Sequence, residues 1–475
     1  MKRSIDARQR ELRVHLTILT DEKGNPIPKD APIPLYEPPV FQDVHNATKS
    51  AIIIGAGPAG LFAALTLLEH GIKPIIYERG KEVSERKRDI ALLNRNEGLN
   101  PESNYCFGEG GAGTFSDGKL FSRSKKRGNM QRVMELFHYF GAPDTVLYEA
   151  HAHIGSDKLP GIIKSMRECI LAHGGEIHFE TKIESLSPFA NNHSPIILAI
   201  GHSAHDTYRM LAAEGVTLET KGFAMGVRAE HPQALINRLM YHTTNVEYVG
   251  NAFYSLVTQV DGRGVYSFCM CPGGHIVPAG SEAGSCVVNG MSASHRNSPY
   301  ANSGMVVQIN PEDILGNDSL RGLAFQEELE RLAWEQARSL EIGNLKLENS
   351  AAAPAQRMKD FVEGRASKDL PTCSYLPGIV PSRLDQWLPA HIGKRLQQGF
   401  RDFDRKYPGF LTNDAVILGV ESRSSSAVRI PRDPETLQSL STPNLYPCGE
   451  GAGYAGGITS SALDGINAAL KIAEQ

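Results

Sequence analysis

SAIIIGAGPAGLFAALTLLEHGIKPIIYERG, residues Ser50 to Gly80, holds two strands and a helix around one glycine turn. SAIII is short, β-branched and uncharged, the texture of a strand buried on both faces. GAGPAG interrupts it, LFAALTLLEHG reads as an apolar helix, and KPIIYERG reads as a second strand ending in Glu78. Each glycine has a physical task. Gly55 permits the tight turn out of the strand, Gly57 lets backbone approach a pyrophosphate, and Gly60 allows close packing of helix on sheet. The free N–H groups at the helix start then face a doubly charged diphosphate. Glu78 follows Gly55 by 23 residues, where a carboxylate accepts both hydroxyls of an adenosine ribose and repels a 2′-phosphate. The glycines alone are a weak signal; strand, turn, helix, strand and acid in register are a strong one.

A second glycine-rich stretch, LYPCGEGAGYAGGITSSALDGINAAL (Leu445 to Leu470), decides which nucleotide is meant. A short strand delivers Gly449 and Glu450, and GYAGG opens a final apolar helix. A simple NAD-binding domain has no use for this second platform. A cofactor whose flavin half extends away from its adenine half requires one, which points to FAD. Backbone N–H groups around Gly457 and Ile458 would stabilise negative charge on the reduced flavin ring.

The totals bound the rest. At 475 residues the chain is too long for one core, so two or three domains are expected. Lys and Arg number 49 against 53 Asp and Glu, a balance that gives no support to a nucleic-acid-binding surface. The basic start MKRSIDARQRELRVHLTIL has no apolar run of signal-peptide length, and no stretch of about 18 uncharged apolar residues appears. The expectation is a cytoplasmic protein without a membrane partner. Seven scattered cysteines (106, 169, 269, 271, 286, 373 and 448) fit a reducing compartment better than a disulfide framework.

Along the chain, ELRVHLTIL (Glu11 to Leu19) reads as a strand and KGNPIPKDAPIPLYEPP as a proline-laden connector. GIIKSMRECILAHGG (Gly161 to Gly175) and AHDTYRMLAAEG read as helices, and SPIILAIG (Ser194 to Gly201) as a buried strand. From about residue 221 the texture changes to strands such as YSFCM and GMVVQI. A helix, FQEELERLAWEQARSLEIG, carries Phe325, Leu329, Leu332 and Leu340 on one stripe. The expected fold class is α/β: a Rossmann-like FAD-binding domain with an inserted α+β substrate domain and a small N-terminal element. Expected boundaries are 1–48 for that element, 49–220 for the first part of the FAD domain, 221–400 for the insertion, and 401–475 for the return.

The chain resembles the FAD-dependent dehydrogenase family within the two-dinucleotide-binding-domain, glutathione-reductase-like flavoproteins. The resemblance is carried by GAGPAG, GEGGAGTFSDGKL, LAIGHSAHDT, GVRAEHPQ, FCMCPGG, VVNGMS, ESRSSSAVRI and YPCGEGAGYAGGI. It implies FAD binding and oxidoreductase activity. On the matching positions, Gly55, Gly57, Pro58, Ala59, Gly60, Glu78 and Arg79 become the adenosine and diphosphate residues. Gly449 and Glu450 fall on the glycine-acid motif near the ribityl chain, with Glu for the commoner Asp, and Gly201, Gly456, Gly457 and Ile458 complete the platform. IGHSAHD carries His205 where Arg is common, which puts the ion pair expected there in doubt. GEGGAGTFSDGKL offers Gly110, Gly111, Ala112, Gly113 and Thr114 to a planar ring; its bland alternative is a polar surface loop.

The reacting groups are less sharply written. Cys269 and Cys271 share one face of an extended strand. The first reading is a packed strand or pocket lining, the second a thiol pair beside flavin or substrate, and the third half a metal site, for which the spacing of further ligands is wrong. No metal is expected. Arg423, followed by three serines and Arg429, suits a carboxylate or other anion, and an interdomain salt bridge explains it equally. Arg228 and Glu230 alternate on a strand and are read as a cross-sheet pair. Cys269, Cys271 and Arg423 are therefore the candidate catalytic residues of an FAD-dependent oxidoreductase. Hydride would pass between flavin N5 and a small organic substrate, and a second electron partner would reset the flavin. NAD(P)H could visit only transiently, because no second GxGxxG follows a strand. The alternatives are an FAD-dependent RNA- or cofactor-modifying enzyme, with SRSKKR (Ser122 to Arg127) as its basic run, or a flavin-binding protein without turnover.

Overall fold

The computed structural model describes residues 2–7, 11–18, 37–121, 128–190, 194–338 and 351–475. Most of the proline-rich connector, the SRSKKR run and Leu340 lie outside the described residues.

Ser50–Ile54 is the central strand of a five-stranded parallel sheet, in the order Leu445–Pro447, Ile196–Leu198, Ser50–Ile54, Lys73–Tyr77, Glu176–His178. The isoleucines of that strand are buried, as its sequence demands. The helix behind it runs Pro58–Glu69 and starts inside the glycine motif, with proline where its missing N–H costs nothing. Ten of its residues are buried because it packs on the sheet on one side and on the helix Ile458–Ala473 on the other. Glycine makes both contacts possible. A Cβ on Gly60 would sit 1.9 Å from the Gly55 carbonyl oxygen, and one on Gly465 would sit 2.0 Å from that of Ala59. The two glycine-rich segments, nearly 400 residues apart in the chain, are thereby locked side by side.

The inserted region forms a seven-stranded sheet in the order Ile379–Pro381, Ala353–Arg357, Val416–Glu421, Phe223–Pro232, Tyr300–Ile309, Arg263–Cys271, Val257–Val260. All its pairings are antiparallel except the edge pair Ala353–Arg357 with Ile379–Pro381. Its core joins Met225, Val227, Met305 and Leu418 to Leu396, Phe400 and Phe403 of the helix Ala390–Lys406. The strand Val416–Glu421 belongs here, so the expected return at 401 comes too early; the chain re-enters the parallel sheet at Leu445–Pro447. Strand Val416–Glu421 is buried throughout and pairs with Phe223–Pro232, a long-range preference that glycine content did not signal. The helix expected at 325–343 runs Arg321–Arg338 and buries Leu329, with Phe325 and Leu332 packed at the edge of the core. The expected strand at 11–19 is Arg13–Thr17, paired with Lys2–Asp6; Ile5, Ala7 and Leu12 pack against the seven-stranded-sheet core. Among the described residues there is one parallel sheet of the nucleotide-binding kind, which does not fit the two-dinucleotide-binding-domain, glutathione-reductase-like class that the resemblance named. None of the described helices is long and apolar enough to cross a membrane.

Candidate functional site

A cavity of about 580 Å³ opens between the two sheets. Gly55, Gly57, Pro58, Ala59, Glu78 and Arg79 line one end, and Gly201, Gly449, Glu450, Gly456, Gly457 and Ile458 line the same space from the other glycine segment. Two helix N-termini open onto it, after Gly57 and after Gly457, and neither has a side-chain cap. Their first-turn N–H groups are the donors that helices leave for an anion. Cβ positions on Gly456 and Gly457 would meet nothing within 4 Å, and one on Gly57 nothing nearer than 3.9 Å. Backbone bared by two neighbouring glycine segments, each with its own set of free N–H donors, fits a dinucleotide such as FAD.

Glu78 is 5% exposed and holds more than a ribose would require. Its Oε2 accepts from the Ala56 N–H at 2.8 Å, and its Oε1 accepts from Gly80 at 2.9 Å and Gly108 at 3.0 Å. A carboxylate offers about four lone-pair directions, so capacity remains on Oε2 while the acid also ties the glycine turn to the neighbouring loop. Arg79 lines the cavity, but its charge is spent elsewhere: Nε donates to Glu102 at 2.6 Å and both terminal nitrogens donate to Asp206 at 2.9 Å. It therefore brings a flat face, stacked 4.0 Å from the Phe107 ring centre, rather than a free fork for phosphate. The motif position where Arg is common holds His205, whose Nδ1 lies 3.0 Å from Glu327.

The loop Gly108–Leu120 divides. Gly111, Ala112 and Gly113 face the cavity in a single 3₁₀ turn. Gly60, Gly110 and Thr114 do not face it, which corrects their assignment as cofactor contacts. Gly60 is pressed onto the sheet, and Gly110 (φ +80°) has the Thr114 hydroxyl 2.0 Å from its Cβ position. The Thr114 hydroxyl donates to the Glu109 carbonyl at 2.9 Å. What holds this loop is Arg86, which sequence reasoning missed. Fully buried in the helix Val83–Asn94, it donates to the carbonyls of Asn104, Tyr105, Gly108 and Glu109 at 2.7–3.2 Å. Burial pulls its guanidinium down to about 10. Neighbouring Glu109, pushed up to about 7 by burial, accepts from the Val83 N–H at 2.7 Å.

The seven-stranded sheet supplies the opposite wall. Cys269 lines the cavity half-buried, and Cys271 is fully buried behind it. The ladder with Tyr300–Ile309 bulges between Phe268 and Cys271, and Cys269 takes a left-handed φ of +46°. Lys119 Nζ stands 3.9 Å from the Cys269 sulfur and 3.6 Å from that of Cys271. Arg228, fully buried, donates to the Cys269 carbonyl at 2.8 Å and approaches the Cys271 sulfur at 3.6 Å. The hydrogen bond from Cys271, then Lys119 and Arg228, hold the Cys269 thiol well below the usual thiol range. The same bond, with burial, holds Cys271 well above it. Asp117, clamped by Arg296 at 2.6 and 3.0 Å and by Lys119 at 3.1 Å, completes the group; burial opposes its charge, but the two cations keep its carboxyl far below the carboxylate range.

The other sheet residues have structural partners. Arg228 pairs across the sheet with Glu421 at 3.1 Å, and not with Glu230, which accepts instead from the backbone N–H of Ser374 at 2.7 Å. Arg423 is a correction. It lines the cavity, but its Nε and Nη2 donate to Glu330 at 2.9 and 2.7 Å and its Nη1 to Ser281 at 2.6 Å. A buried guanidinium so fully engaged has no fork left for a substrate anion.

Residues 48–187 match a profile described as FAD binding domain, and residues 222–424 match one described as FAD-dependent protein, C-terminal domain-like. An uncharacterized protein of Clostridium beijerinckii is 41% identical to the chain over 501 residues, covering 100% of this chain and 92% of that one. The chain belongs to this family of FAD-dependent proteins. FAD is its cofactor, and it is a flavin-dependent enzyme of the oxidoreductase class. Solved flavoproteins align over most of its length at low similarity. The halogenase PltM aligns at a TM-score of 0.35 and 13% identity, over 90% of this chain and 68% of that one. The tetracycline destructase Tet(55) aligns at 0.35 and 12%, over 90% and 85%. Likeness at this level carries no conclusion about substrate.

Proposed function

We propose that this FAD-dependent enzyme moves a hydride equivalent between its flavin and a small organic molecule held against the wall of the seven-stranded sheet. One observation carries the reading: segments 55–59 and 449–458 line one cavity whose far wall includes residues of the seven-stranded sheet. The cofactor would lie with its adenosine toward Glu78 and its ring toward Gly456, Gly457 and Ile458. Bound FAD supplies two-electron chemistry at its ring. The chain's own residues do the rest. The helix starts after Gly57 and Gly457 would receive negative charge, and the Gly111–Gly113 turn, which lies close to Gly57, Pro58 and Ile458, would hold the cofactor from the side between them. Phe121, His151 and Phe253, in tilted ring contacts with centres 4.7 and 5.1 Å apart, form an aromatic part of the cavity lining suited to exclude water and to hold a flat or apolar group. With Arg423 committed to Glu330, support for an anionic substrate falls away. A nicotinamide nucleotide reaching the same space from solvent is the proposed electron partner.

The test is direct. Purified protein should be yellow, and its visible absorption should bleach under anaerobic conditions with NADH, NADPH or an organic reductant from a metabolite panel. Colour that no reductant removes would leave a flavin-binding protein without turnover.

A further inference from the structure

We propose that Cys269 and Cys271 form a reversible dithiol–disulfide couple that exchanges with a small-molecule disulfide entering the cavity, with Cys269 as the attacking thiolate and Cys271 as the resolving thiol. This rests on the reading above, since it names the substrate class for that same cavity.

Three geometric facts support it. First, the backbone between the two cysteines is not regular strand. Cα atoms two residues apart in a regular strand stand about 6.6 Å from each other, at the outer edge of the roughly 4.4–6.8 Å that a disulfide spans. The bulge and the left-handed turn at Cys269 depart from that extended geometry at the one place where it would strain the ring. A left-handed φ is uncommon outside glycine, asparagine and aspartate, and cysteine has no intrinsic preference for it. Second, the two sulfurs are unequal in access. Cys269 faces the cavity and Cys271 is shielded behind it, the arrangement an attacking and a resolving thiol need. Third, the couple is at the flavin-ring end. Lys119, which contacts both sulfurs, is followed by Leu120, whose carbonyl accepts from the Thr459 hydroxyl at 2.8 Å in the first turn of the helix that opens at Gly457.

The titratable groups facing the pair are Lys119, Arg228, Asp117, Glu421 and Tyr254, whose phenol burial holds well above its usual range and so uncharged. Lys119 and Arg228 favour the thiolate. Asp117 and Glu421 oppose it, the first neutralised by Arg296 and the second by Arg228. Lys119 is a positioning residue, since it acts through the sulfurs.

The exchange balances as follows. The Cys269 thiolate attacks one sulfur of R–S–S–R′; a Cys269–S–R bond forms, the substrate S–S bond breaks, and R′S⁻ leaves and takes a proton from water. Cys271 gives its proton to water and attacks the Cys269 sulfur; the Cys269–Cys271 bond forms and RS⁻ leaves, taking up a proton in turn. The substrate gains two electrons and two protons; the cysteine pair loses two electrons and the Cys271 proton, and the second proton comes from solvent. The two electrons and one proton that restore the thiolate–thiol pair, together a hydride equivalent, would be supplied by the reduced form of the bound FAD, itself reduced by a nicotinamide nucleotide.

Titrating the FAD-bound protein with glutathione and glutathione disulfide, trapping with N-ethylmaleimide and digesting for mass spectrometry tests this. A Cys269–Cys271 crosslinked peptide should appear as the buffer becomes oxidising, and Cys271→Ser should instead retain one glutathione on Cys269. The pH midpoint for iodoacetamide alkylation of Cys269 should lie below the ~8.5 of a free thiol. Lys119→Met should raise it by about one unit, and Lys119→Arg should restore it. Seven reduced cysteines at every redox ratio, or a Cys271→Ser protein that takes up no glutathione, would overturn the couple while leaving the yellow protein and its bleaching intact. A colourless protein would overturn the cavity's cofactor assignment whatever its thiols do.

Discussion

The two walls of the cavity use different parts of the polypeptide. On the parallel-sheet side the surface is backbone: bared glycine segments and two uncapped helix starts, held by close contacts such as Gly465 on Ala59. On the seven-stranded side it is side chain: Cys269 of the sheet, met by Lys119 and Asp117 of the Gly108–Leu120 loop and by Arg296, each charge answered by a neighbour. A backbone wall accepts a cofactor of fixed shape and tolerates no added atoms. A side-chain wall can be altered group by group, so the chemistry of the reaction belongs there.

That contrast can be broken, and the largest effect is expected on the backbone side. Gly57→Leu places a branched side chain into the space proposed for the diphosphate. It should leave far-ultraviolet dichroism unchanged and abolish FAD retention after gel filtration. A yellow mutant would show that the turn does not touch the cofactor. Next comes Arg86→Met. It strips the donors from four buried carbonyls and should lower stability by about 3 kcal/mol, since one unsatisfied buried group costs roughly 1–3 kcal/mol. Urea denaturation measures this, and FAD should be lost at lower urea than in the parent because the Gly111–Gly113 turn loses its support.

The smaller effect lies in the side-chain sheet. Burial pushes Glu230 up to about 7 against its hydrogen bonds from Ser374. With a folded-state pKa above the unfolded value, its contribution is constant below about 4.5, falls as pH rises from there to about 7, and is constant again above, because within that window only the unfolded state ionises. Glu230→Gln should therefore gain about 2 kcal/mol relative to the parent between pH 5 and pH 8, read from urea midpoints. A pH-independent difference would mean that Glu230 titrates normally.

The same contrast explains what could be read in advance. The β-α-β unit at Ser50–Gly80 is local, so its strands, turn and helix are written in adjacent residues, as is the glycine platform at 449–458; their meeting is not local and is expected only because one extended cofactor needs both. The side-chain wall is assembled from distant pieces. Lys119 meets sulfurs 150 residues away, and Arg423 meets Glu330 from 93 residues away; no local pattern announces either partner. Arg86 sits in an ordinary polar-looking helix, and only the loop folded around it makes it a support. The strand Val416–Glu421 misled the domain boundary for the same reason, since its partner is Phe223–Pro232. The bulge at Cys269 is a property of the strand pairing, and FCMC alone reads as a regular strand.

The contact between Gly465 and Ala59 sets a schedule for biogenesis. The first half of the nucleotide cradle leaves the ribosome hundreds of residues before the helix Ile458–Ala473 that must lean on it. Flavin capture is therefore a late event, and until then an apolar helix and its bare glycine turn wait without their partner, a natural client surface for a chaperone.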